Sequence, residues 1–188
     1  MNVFDFDGTI YSGDSSIDFY LFCLRKNPKI IRVFGKQLKG VFKYKMGKIS
    51  KNQYKSLFFS FLSHVEDVES LVGEFWKKNQ CKIKKWYKEI KSKEDVIISA
   101  SPEFLLSCMK EKLDIQDVIA TKVDKKTGKL IGENCRGEEK VNRFKEKYDI
   151  NEIEGFYSDS KADTPMACIS KQAYMVKKNT INRWDCGF

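Results

Sequence analysis

Two aspartates near the start of the chain, Asp5 and Asp7, have a spacing that suggests chemistry. They flank Phe6 at the end of a short apolar run, residues 2–6, which predicts a buried strand followed by a turn at Gly8. Because side chains alternate along a strand, both carboxylates point to one side. Two like charges in one space need a cation or a proton, and both are catalytic arrangements. The alternative is a turn with two solvated aspartates.

Further polar residues follow other predicted strands. Residues 95–99 predict a strand that ends at Ser99, and residues 154–157 predict another, followed by Asp159 and Asp163. The carboxyl ends of strands in an open α/β sheet meet where ligands bind, so we expect these acids near the first pair. Carboxylates without a histidine or cysteine cluster favour a hard, octahedral cation, which predicts Mg²⁺. Taken alone, the two later acids also suit a helix N-cap loop.

Two short segments are candidates for holding an anion. Ser101-Pro102 predicts the N-terminus of a helix that runs to about residue 112, with Ser101 as its cap. Free amides at a helix N-terminus favour phosphate, and Ser99 is then free to donate a hydrogen bond to it; the alternative is a turn serine. Lys140 begins a predicted helix, where a cation is unfavourable unless an anionic group faces it.

The elements that must position these residues follow from the periodicity along the chain. Residues 14–92 predict four or five consecutive helices, whereas strands and helices alternate elsewhere. Residues 118–123 and 129–133 predict a hairpin. We therefore predict an α/β parallel-sheet core domain, residues 1–13 and 93–188, interrupted by an α-helical cap domain that covers the site.

In the order of its motifs, the whole chain resembles the haloacid dehalogenase-like superfamily. These motifs are D-F-D-G-T at residues 5–9, a strand ending in Ser99, then Lys140, then Asp159 and Asp163. Because the helical insert follows the first motif, the chain looks most like the branch that contains phosphoserine phosphatase. This resemblance implies a Rossmann-like core with a helical cap and Mg²⁺-dependent hydrolysis of a phosphate monoester.

The resemblance also implies roles for the motif residues. Asp5 would be the nucleophile that forms an aspartyl-phosphate, and Asp7 would protonate the leaving oxygen and then activate water. Ser99 and Lys140 would hold the phosphoryl group. Further substrate contacts would come from residues beside these motifs, namely Gly8, Thr9 and Ala100.

The same resemblance implies a metal site built from carboxylates. Asp159 would bind Mg²⁺ together with the Asp5 carboxylate and the main-chain carbonyl of Asp7. Asp163 would belong to this group as well, by orienting Lys140 or metal-bound water. The Mg²⁺ ion is the cofactor that the sequence predicts.

The substrate class has two interpretations. Asp14 lies where an acid of phosphoserine phosphatases meets the substrate's amino group, but it also suits the N-cap of the first insert helix. Ser158 and Ala162 stand where relatives usually have Gly and Asn, which affects substrate identity more than chemistry. The substrate is a small phosphorylated metabolite, such as phosphoserine, or a phospholipid headgroup phosphate, as in the similar phosphatidylglycerophosphate phosphatases.

The helical insert is strongly basic. Residues 19–65 contain no Asp or Glu, and residues 25–55 contain 11 Lys and Arg. Basic residues at positions 29, 32, 36, 39 and 43 repeat at helical spacing, and the apolar residues Ile30, Phe34, Leu38, Val41 and Phe42 occupy another face. The alternatives are a solvated cap helix with a packed apolar face, peripheral contact with an anionic membrane, or a polyanionic ligand. We expect no nucleic acid, because its recognition signatures are absent from the sequence.

Composition sets the remaining expectations. The chain of 188 residues has a net charge of +9 and 41% hydrophobic residues, which suits one core with a modest insertion. It has no signal-peptide pattern and no apolar run of membrane-spanning length, so we predict a cytoplasmic protein with reduced thiols. We expect it to be a monomer or a homodimer. The competing hypotheses are a phosphotransferase or mutase on the same fold, and a membrane- or nucleic-acid-binding module.

Overall fold

The structure, a computed structural model, describes residues 1–185 and contains a six-stranded sheet in the order β3-β2-β1-β4-β5-β6. The first five strands of the chain run parallel, and β6 runs antiparallel to β5. The strands are β1 (Asn2–Phe4), β2 (Val96–Pro102), β3 (Asp117–Thr121), β4 (Gly155–Ser158), β5 (Gln172–Lys177) and β6 (Thr180–Arg183). Because β1 lies between β2 and β4, the residues that follow these three strands share one edge of the sheet. The predicted α/β fold is confirmed.

The insert between β1 and β2 contains α1 (Ser15–Lys26), α2 (Phe34–Lys45), α3 (Lys51–Phe59), α4 (Val68–Asn79) and α5 (Lys85–Ile90). The later helices are α6 (Glu103–Leu106), α7 (Met109–Leu113), α8 (Glu138–Lys145) and α9 (Thr164–Cys168). Short 3-10 helices occupy Pro28–Val33, Ser60–His64, Gln80–Lys82, Ile150–Glu152 and Lys161–Asp163. Local capping explains several starts: Ser50 and Gln53 form a complete capping box at α3, and the Asp67 side chain accepts a hydrogen bond from the Ser70 amide at α4.

The two faces of the sheet bury alternate residues of the same strands. On β1, Phe4 joins a core formed with the insert, whereas Val3 joins a second core formed with α8 and α9. On β2, Ile97 points to the first core, and Val96 and Ile98 point to the second. Successive residues of these strands are therefore buried on opposite faces of the sheet. Burial on both faces requires that helices cover both sides of the sheet.

The inner helices of the insert share their core with the sheet. Trp76 of α4 is fully buried, and its ring packs edge-on against Phe6 and Tyr11. Its indole Nε1 donates a hydrogen bond to the Leu105 carbonyl at 2.7 Å. The Tyr87 ring of α5 contacts Phe4, with ring centroids 4.9 Å apart. The insert therefore folds against the sheet, and a division into a core domain and a cap domain at residues 14–92 stays a proposal.

Two predicted elements differ in the structure. Ser101 does not cap a helix: β2 continues through Pro102, and the first helix starts at Glu103 without a side-chain cap. The predicted hairpin after β3 is reduced to one antiparallel bridge between Val123 and Leu130. The reason is that the second arm packs on the insert, where the amide of Leu130 donates a hydrogen bond to Ser56 Oγ at 3.1 Å.

The end of the described chain adds an unpredicted antiparallel strand, β6. The sequence predicts that the aromatic side chains of Trp184 and Phe188 pack against the core, and Trp184, which follows β6, packs against the second core. The same prediction for Phe188 lies outside the described residues. Within residues 1–185, no helix has both the length and the apolar character needed to cross a membrane. The cysteines in that range are free thiols, as expected; Cys186 lies outside it.

We predict that Trp76→Ala lowers the free energy of unfolding by about 3–5 kcal/mol, because it removes a buried ring and its hydrogen bond to the Leu105 carbonyl. Urea denaturation followed by circular dichroism measures this change. The control, Ile131→Ala at an exposed position, should change it by less than about 0.5 kcal/mol. Equal effects of the two substitutions would contradict the shared core.

Candidate active site

A cavity of about 340 Å³ opens at the carboxyl edge of the sheet, between the sheet and the insert. Its sheet side follows β1, β2 and β4. The predicted residues that line it are Asp5, Asp7, Ser99, Lys140, Asp159 and Asp163. The structure therefore brings together six residues that are separated by up to 158 positions in the chain.

Lys140 is fully buried at the floor of this cavity. Its Nζ donates hydrogen bonds to Asp5 Oδ1 at 2.6 Å and to Asp163 Oδ2 at 2.7 Å, and Ser158 Oγ donates to the same Asp163 oxygen at 2.8 Å. Burial alone would lower the pKa of Lys140, but the two carboxylates outweigh that effect and raise it. The side chain therefore stays an ammonium that fixes the Asp5 carboxylate. The anionic group predicted to face Lys140 is present.

Burial has the opposite effect on Asp5. It raises the pKa of the Asp5 carboxyl to about 6, against the attraction of the Lys140 ammonium. Thr9 Oγ1 donates a hydrogen bond to Asp5 Oδ2 at 3.2 Å, so both carboxylate oxygens have a donor. These contacts leave the carboxylate oriented at the cavity wall.

Asp7 faces the cavity with separate partners. The Ser15 amide donates to Asp7 Oδ1 at 2.6 Å, and Ser101 Oγ donates to Asp7 Oδ2. Burial and the Asp14 carboxylate raise the pKa of Asp7 to about 7, despite these hydrogen bonds. Asp7 thus has an acid strength suited to giving and taking a proton near neutral pH. Ser101, predicted as a helix cap, instead positions this carboxyl.

Gly8 and Thr9 bring Asp159 next to the first motif. Gly8 has φ +75°, and a Cβ built there would lie 2.0 Å from Asp159 Oδ2, so any other residue would have a strained backbone and would displace the Asp159 carboxylate. The Asp159 amide donates a hydrogen bond to Thr9 Oγ1 at 2.9 Å. Burial and the Asp163 carboxylate raise the pKa of Asp159, while Lys84 opposes them.

The carboxylates fit a magnesium ion through two of the four predicted ligands. Asp5 and Asp159 both line the cavity, and Asp159 lies against the Gly8 turn. Asp5 also accepts a hydrogen bond from Lys140, as Asp163 does, and the Asp7 carboxylate accepts one from Ser101. Among residues 1–185, no three acidic, histidine or cysteine side chains are grouped as a metal site. Mg²⁺ is commonly held by one or two carboxylates with several waters, so this donor set suits it. The Asp7 main-chain carbonyl stays a predicted further ligand.

Ser99 and Ala100 occupy the end of β2 rather than a helix N-terminus. Ser99 is buried and its Oγ accepts a hydrogen bond from the Ser101 amide at 3.1 Å, which leaves the hydroxyl hydrogen available to the cavity. The Ala100 carbonyl accepts hydrogen bonds from Lys55 Nζ at 2.6 Å and Thr121 Oγ1 at 2.8 Å. This strand end therefore faces the insert directly.

The insert supplies the opposite wall. Asp14 caps α1, because its Oδ1 accepts a hydrogen bond from the Ile17 amide at 3.0 Å, and it also lines the cavity. From α3 come Tyr54, Lys55 and Phe58. The insert therefore lies against the cavity, and its role as a cap over the active site stays a prediction. The cap interpretation of Asp14 is correct, and a substrate contact stays a prediction.

Sequence reasoning did not single out three cations of this site. Lys55 Nζ also donates to Asn134 Oδ1 at 2.7 Å, and burial, followed by Lys51, lowers the pKa of Lys55 to about 8. Arg136 lines the cavity beside the N-terminus of α8. Lys84 donates hydrogen bonds to the main-chain carbonyls of Gly8 and Lys178. With 35 Lys and Arg in the chain, nothing in the sequence separates these three from solvated ones.

Comparison with solved structures finds the same fold. A protein with unknown function from Bordetella pertussis Tohama I has 19% identity and a TM-score of 0.76, over 92% of this chain and 87% of that chain. A phosphoserine phosphohydrolase-like protein from Francisella tularensis subsp. tularensis SCHU S4 has 17% identity and a TM-score of 0.60, over 92% and 86%. A phosphoserine phosphatase solved as a phospho-aspartyl intermediate analogue has 19% identity and a TM-score of 0.53, over 91% and 83%.

These solved structures are distant in sequence and show only the fold of the chain. A family model assigns the family. No curated protein sequence matches the chain significantly. The model for haloacid dehalogenase-like hydrolases matches residues 3–167, which include every motif residue described above. The family resemblance predicted from the motifs is confirmed, and the chain belongs to the haloacid dehalogenase-like hydrolase family.

Proposed function

We propose that the protein is a Mg²⁺-dependent phosphomonoester hydrolase that acts through an aspartyl-phosphate on Asp5. The observation that supports this most directly is the Lys140 ammonium, which holds the Asp5 carboxylate at 2.6 Å in the cavity wall. A carboxylate that is oriented, partly buried and next to a fixed cation suits attack on an electrophile that brings negative charge.

The reaction has two steps at phosphorus. In the first, an Asp5 oxygen forms a bond to phosphorus, the ester P–O bond breaks, and Asp7 gives its proton to the leaving oxygen. In the second, Asp7 takes a proton from a water molecule as the water oxygen attacks phosphorus, and the bond to Asp5 breaks. Inorganic phosphate leaves and both carboxyls return to their starting states. The raised pKa of Asp7, about 7, supports both proton transfers.

The other residues position the phosphoryl group. Ser99 can donate a hydrogen bond from its free hydroxyl hydrogen, and Lys140 supplies positive charge at the developing oxyanion. Asp5 and Asp159 would hold Mg²⁺. When bound, this ion neutralises phosphoryl charge and helps to align the ester for in-line attack.

The insert wall suggests which esters fit. Lys55 and Arg136 place positive charge beside the phosphoryl site, and Ile17, Tyr54 and Phe58 add apolar and aromatic surface. We infer a substrate with a second anionic or strongly polar group next to the phosphate. Phosphoserine, the substrate class in the names of several similar structures, and a phospholipid headgroup phosphate both have this chemistry. Phosphate release from a panel of phosphoserine, sugar phosphates, nucleotides and phosphatidylglycerophosphate micelles distinguishes these classes.

We predict that Asp5→Asn lowers phosphate release about 1,000-fold or more, because an amide cannot act as the nucleophile. Release of inorganic phosphate at pH 7 with Mg²⁺ measures this effect. The matched control, Asp149→Asn, changes an exposed carboxylate that caps a short 3-10 helix, a position that Asn also suits, and should leave the rate unchanged. Equal rates for the parent and Asp5→Asn would contradict the proposed nucleophile.

Removal of Mg²⁺ with EDTA should abolish phosphate release, and added Mg²⁺ should restore it. We predict that Asp159→Asn raises the half-saturating Mg²⁺ concentration about tenfold or more, because one of two anionic ligands is lost. Mg²⁺ titration of the rate measures this shift. Full activity in EDTA, or an unchanged titration midpoint, would contradict the metal assignment.

Lys55 gives a pH prediction. Because burial lowers its pKa to about 8, the side chain is an ammonium at pH 7 and loses its charge as the pH rises through that value. If it binds an anionic group of the substrate, KM should rise between pH 7 and 9. We predict that Lys55→Arg removes this rise, whereas Lys55→Met raises KM about tenfold already at pH 7. A parent-like pH profile of KM in Lys55→Arg would contradict this role.

A further inference from the structure

The outer face of α2 has an exposed apolar ridge. Phe34, Leu38 and Phe42 repeat every four residues, and their exposed fractions are 49%, 45% and 60%. One interpretation of the sequence was that the apolar face of this segment packs on neighbouring helices. Of the five apolar residues predicted for that face, only Ile30 is buried. A row of large apolar side chains on one helix is more than the scattered exposure that monomers normally show.

The opposite face of α2 makes the packing contacts with the rest of the insert. Gln37 Nε2 donates a hydrogen bond to the Phe58 carbonyl at 2.7 Å, and a Cβ on Gly40 would lie 2.9 Å from Leu57 Cδ1. The Tyr44 ring stacks on Tyr54 with centroids 5.2 Å apart. Polar, small and aromatic residues on another face therefore hold α2 against α3, and the apolar ridge stays largely open to solvent.

A row of cations runs beside the ridge. Lys36, Lys39 and Lys43 are exposed and form one stripe along the helix, within about 60° of one another around its axis and next to Phe42. Residues 19–65 contain no acidic residue, so no carboxylate of this segment neutralises them. Positive charge beside an apolar ridge is complementary to a surface that has anionic groups at its outer layer and an apolar layer below them.

We propose that these six residues form a docking surface for an anionic lipid bilayer. The α2 surface consists of Phe34, Leu38, Phe42, Lys36, Lys39 and Lys43. The helix lies along the membrane plane, with the ridge in the headgroup and acyl boundary and the lysines at the anionic headgroups. A protein partner would need an apolar groove rimmed by acidic residues, whereas a bilayer with anionic lipids supplies both features without a specific fold.

The α2 surface is connected to the cavity through one aromatic contact. Tyr44, two residues after Phe42, stacks on Tyr54, and Tyr54 lines the cavity. Membrane docking would therefore hold the cavity close to the lipid headgroups. The docking proposal does not depend on the proposed hydrolysis, because no residue of the α2 surface lines the cavity.

Cosedimentation with vesicles tests the docking surface. We expect the full chain to sediment with vesicles of phosphatidylglycerol and phosphatidylcholine at low salt. Binding should fall at least tenfold with pure phosphatidylcholine, and it should weaken in 0.5 M NaCl. The double variant Leu38→Ser/Phe42→Ser and the triple variant Lys36→Gln/Lys39→Gln/Lys43→Gln should each lose most of the binding.

Matched controls separate this surface from a general effect of charge or hydrophobicity. Ile131→Ser removes an exposed apolar side chain elsewhere, and Lys110→Gln/Lys112→Gln/Lys145→Gln removes the same charge from other exposed positions. Both controls should bind as the parent does. All variants should retain the parent's thermal unfolding and its hydrolysis of a soluble ester, whereas Asp5→Asn should bind vesicles normally.

Several outcomes would overturn the proposal. One is an absence of binding to anionic vesicles by a folded parent chain, and another is an equal loss of binding in the controls. A parent that is dimeric by light scattering, with a monomeric Leu38→Ser/Phe42→Ser variant, would assign the ridge to a second copy instead. Loss of hydrolysis in Asp5→Asn tests only the catalytic proposal, so the two can fail separately.

Discussion

The buried ammonium of Lys140 is the constraint on which the site depends. A charge taken out of water costs several kcal/mol unless it is paired and hydrogen-bonded, and Lys140 meets this condition only between Asp5 and Asp163. Those carboxylates follow β1 and β4, while the lysine comes from α8. The pairing of β1 with β4 and the packing of α8 on the sheet must therefore form together for the ion group to be stable. The arrangement that orients Asp5 is thus also a condition for closing the second core.

The insert is coupled to the same sheet edge through polar contacts. Asp7 receives hydrogen bonds from Ser15 at the start of α1 and from Ser101 at the end of β2, so one carboxyl joins the two sides of the cavity. Lys55 of α3 makes a similar connection to the Ala100 carbonyl. Both contacts lie at the cavity, so a change in the position of α1 or α3 alters the Asp7 carboxyl and the cavity wall together. In the proposed reaction, this arrangement would link closure over a substrate to proton transfer by Asp7.

Much of the site could be predicted from the sequence because its chemistry is concentrated in short motifs after strands. Asp5 and Asp7 follow an apolar run, and the later acids follow another, so the rule for sheet edges was enough to group them. The place of Lys140 at a helix start only hinted at an anionic partner among many lysines, and it was the order of the family's motifs that assigned it to the site. Ser101 was misassigned because Ser-Pro also suits a helix start; the pairing of β2 with β3, which extends the strand to Pro102, depends on distant residues.

The remaining differences arise where tertiary contacts override local pattern. Lys55 and Arg136 belong to a chain with many cations, and only the fold decides which of them face a cavity. The apolar residues of α2 have the periodicity of a buried face, yet Gln37, Gly40 and Tyr44 make the contact with α3. Periodicity shows that a face is apolar and leaves open what covers it. The positive charge of the insert consequently has two separable effects: at Lys55 it is desolvated and directed at the cavity, and on α2 it stays hydrated beside an apolar ridge, where it favours anionic surfaces.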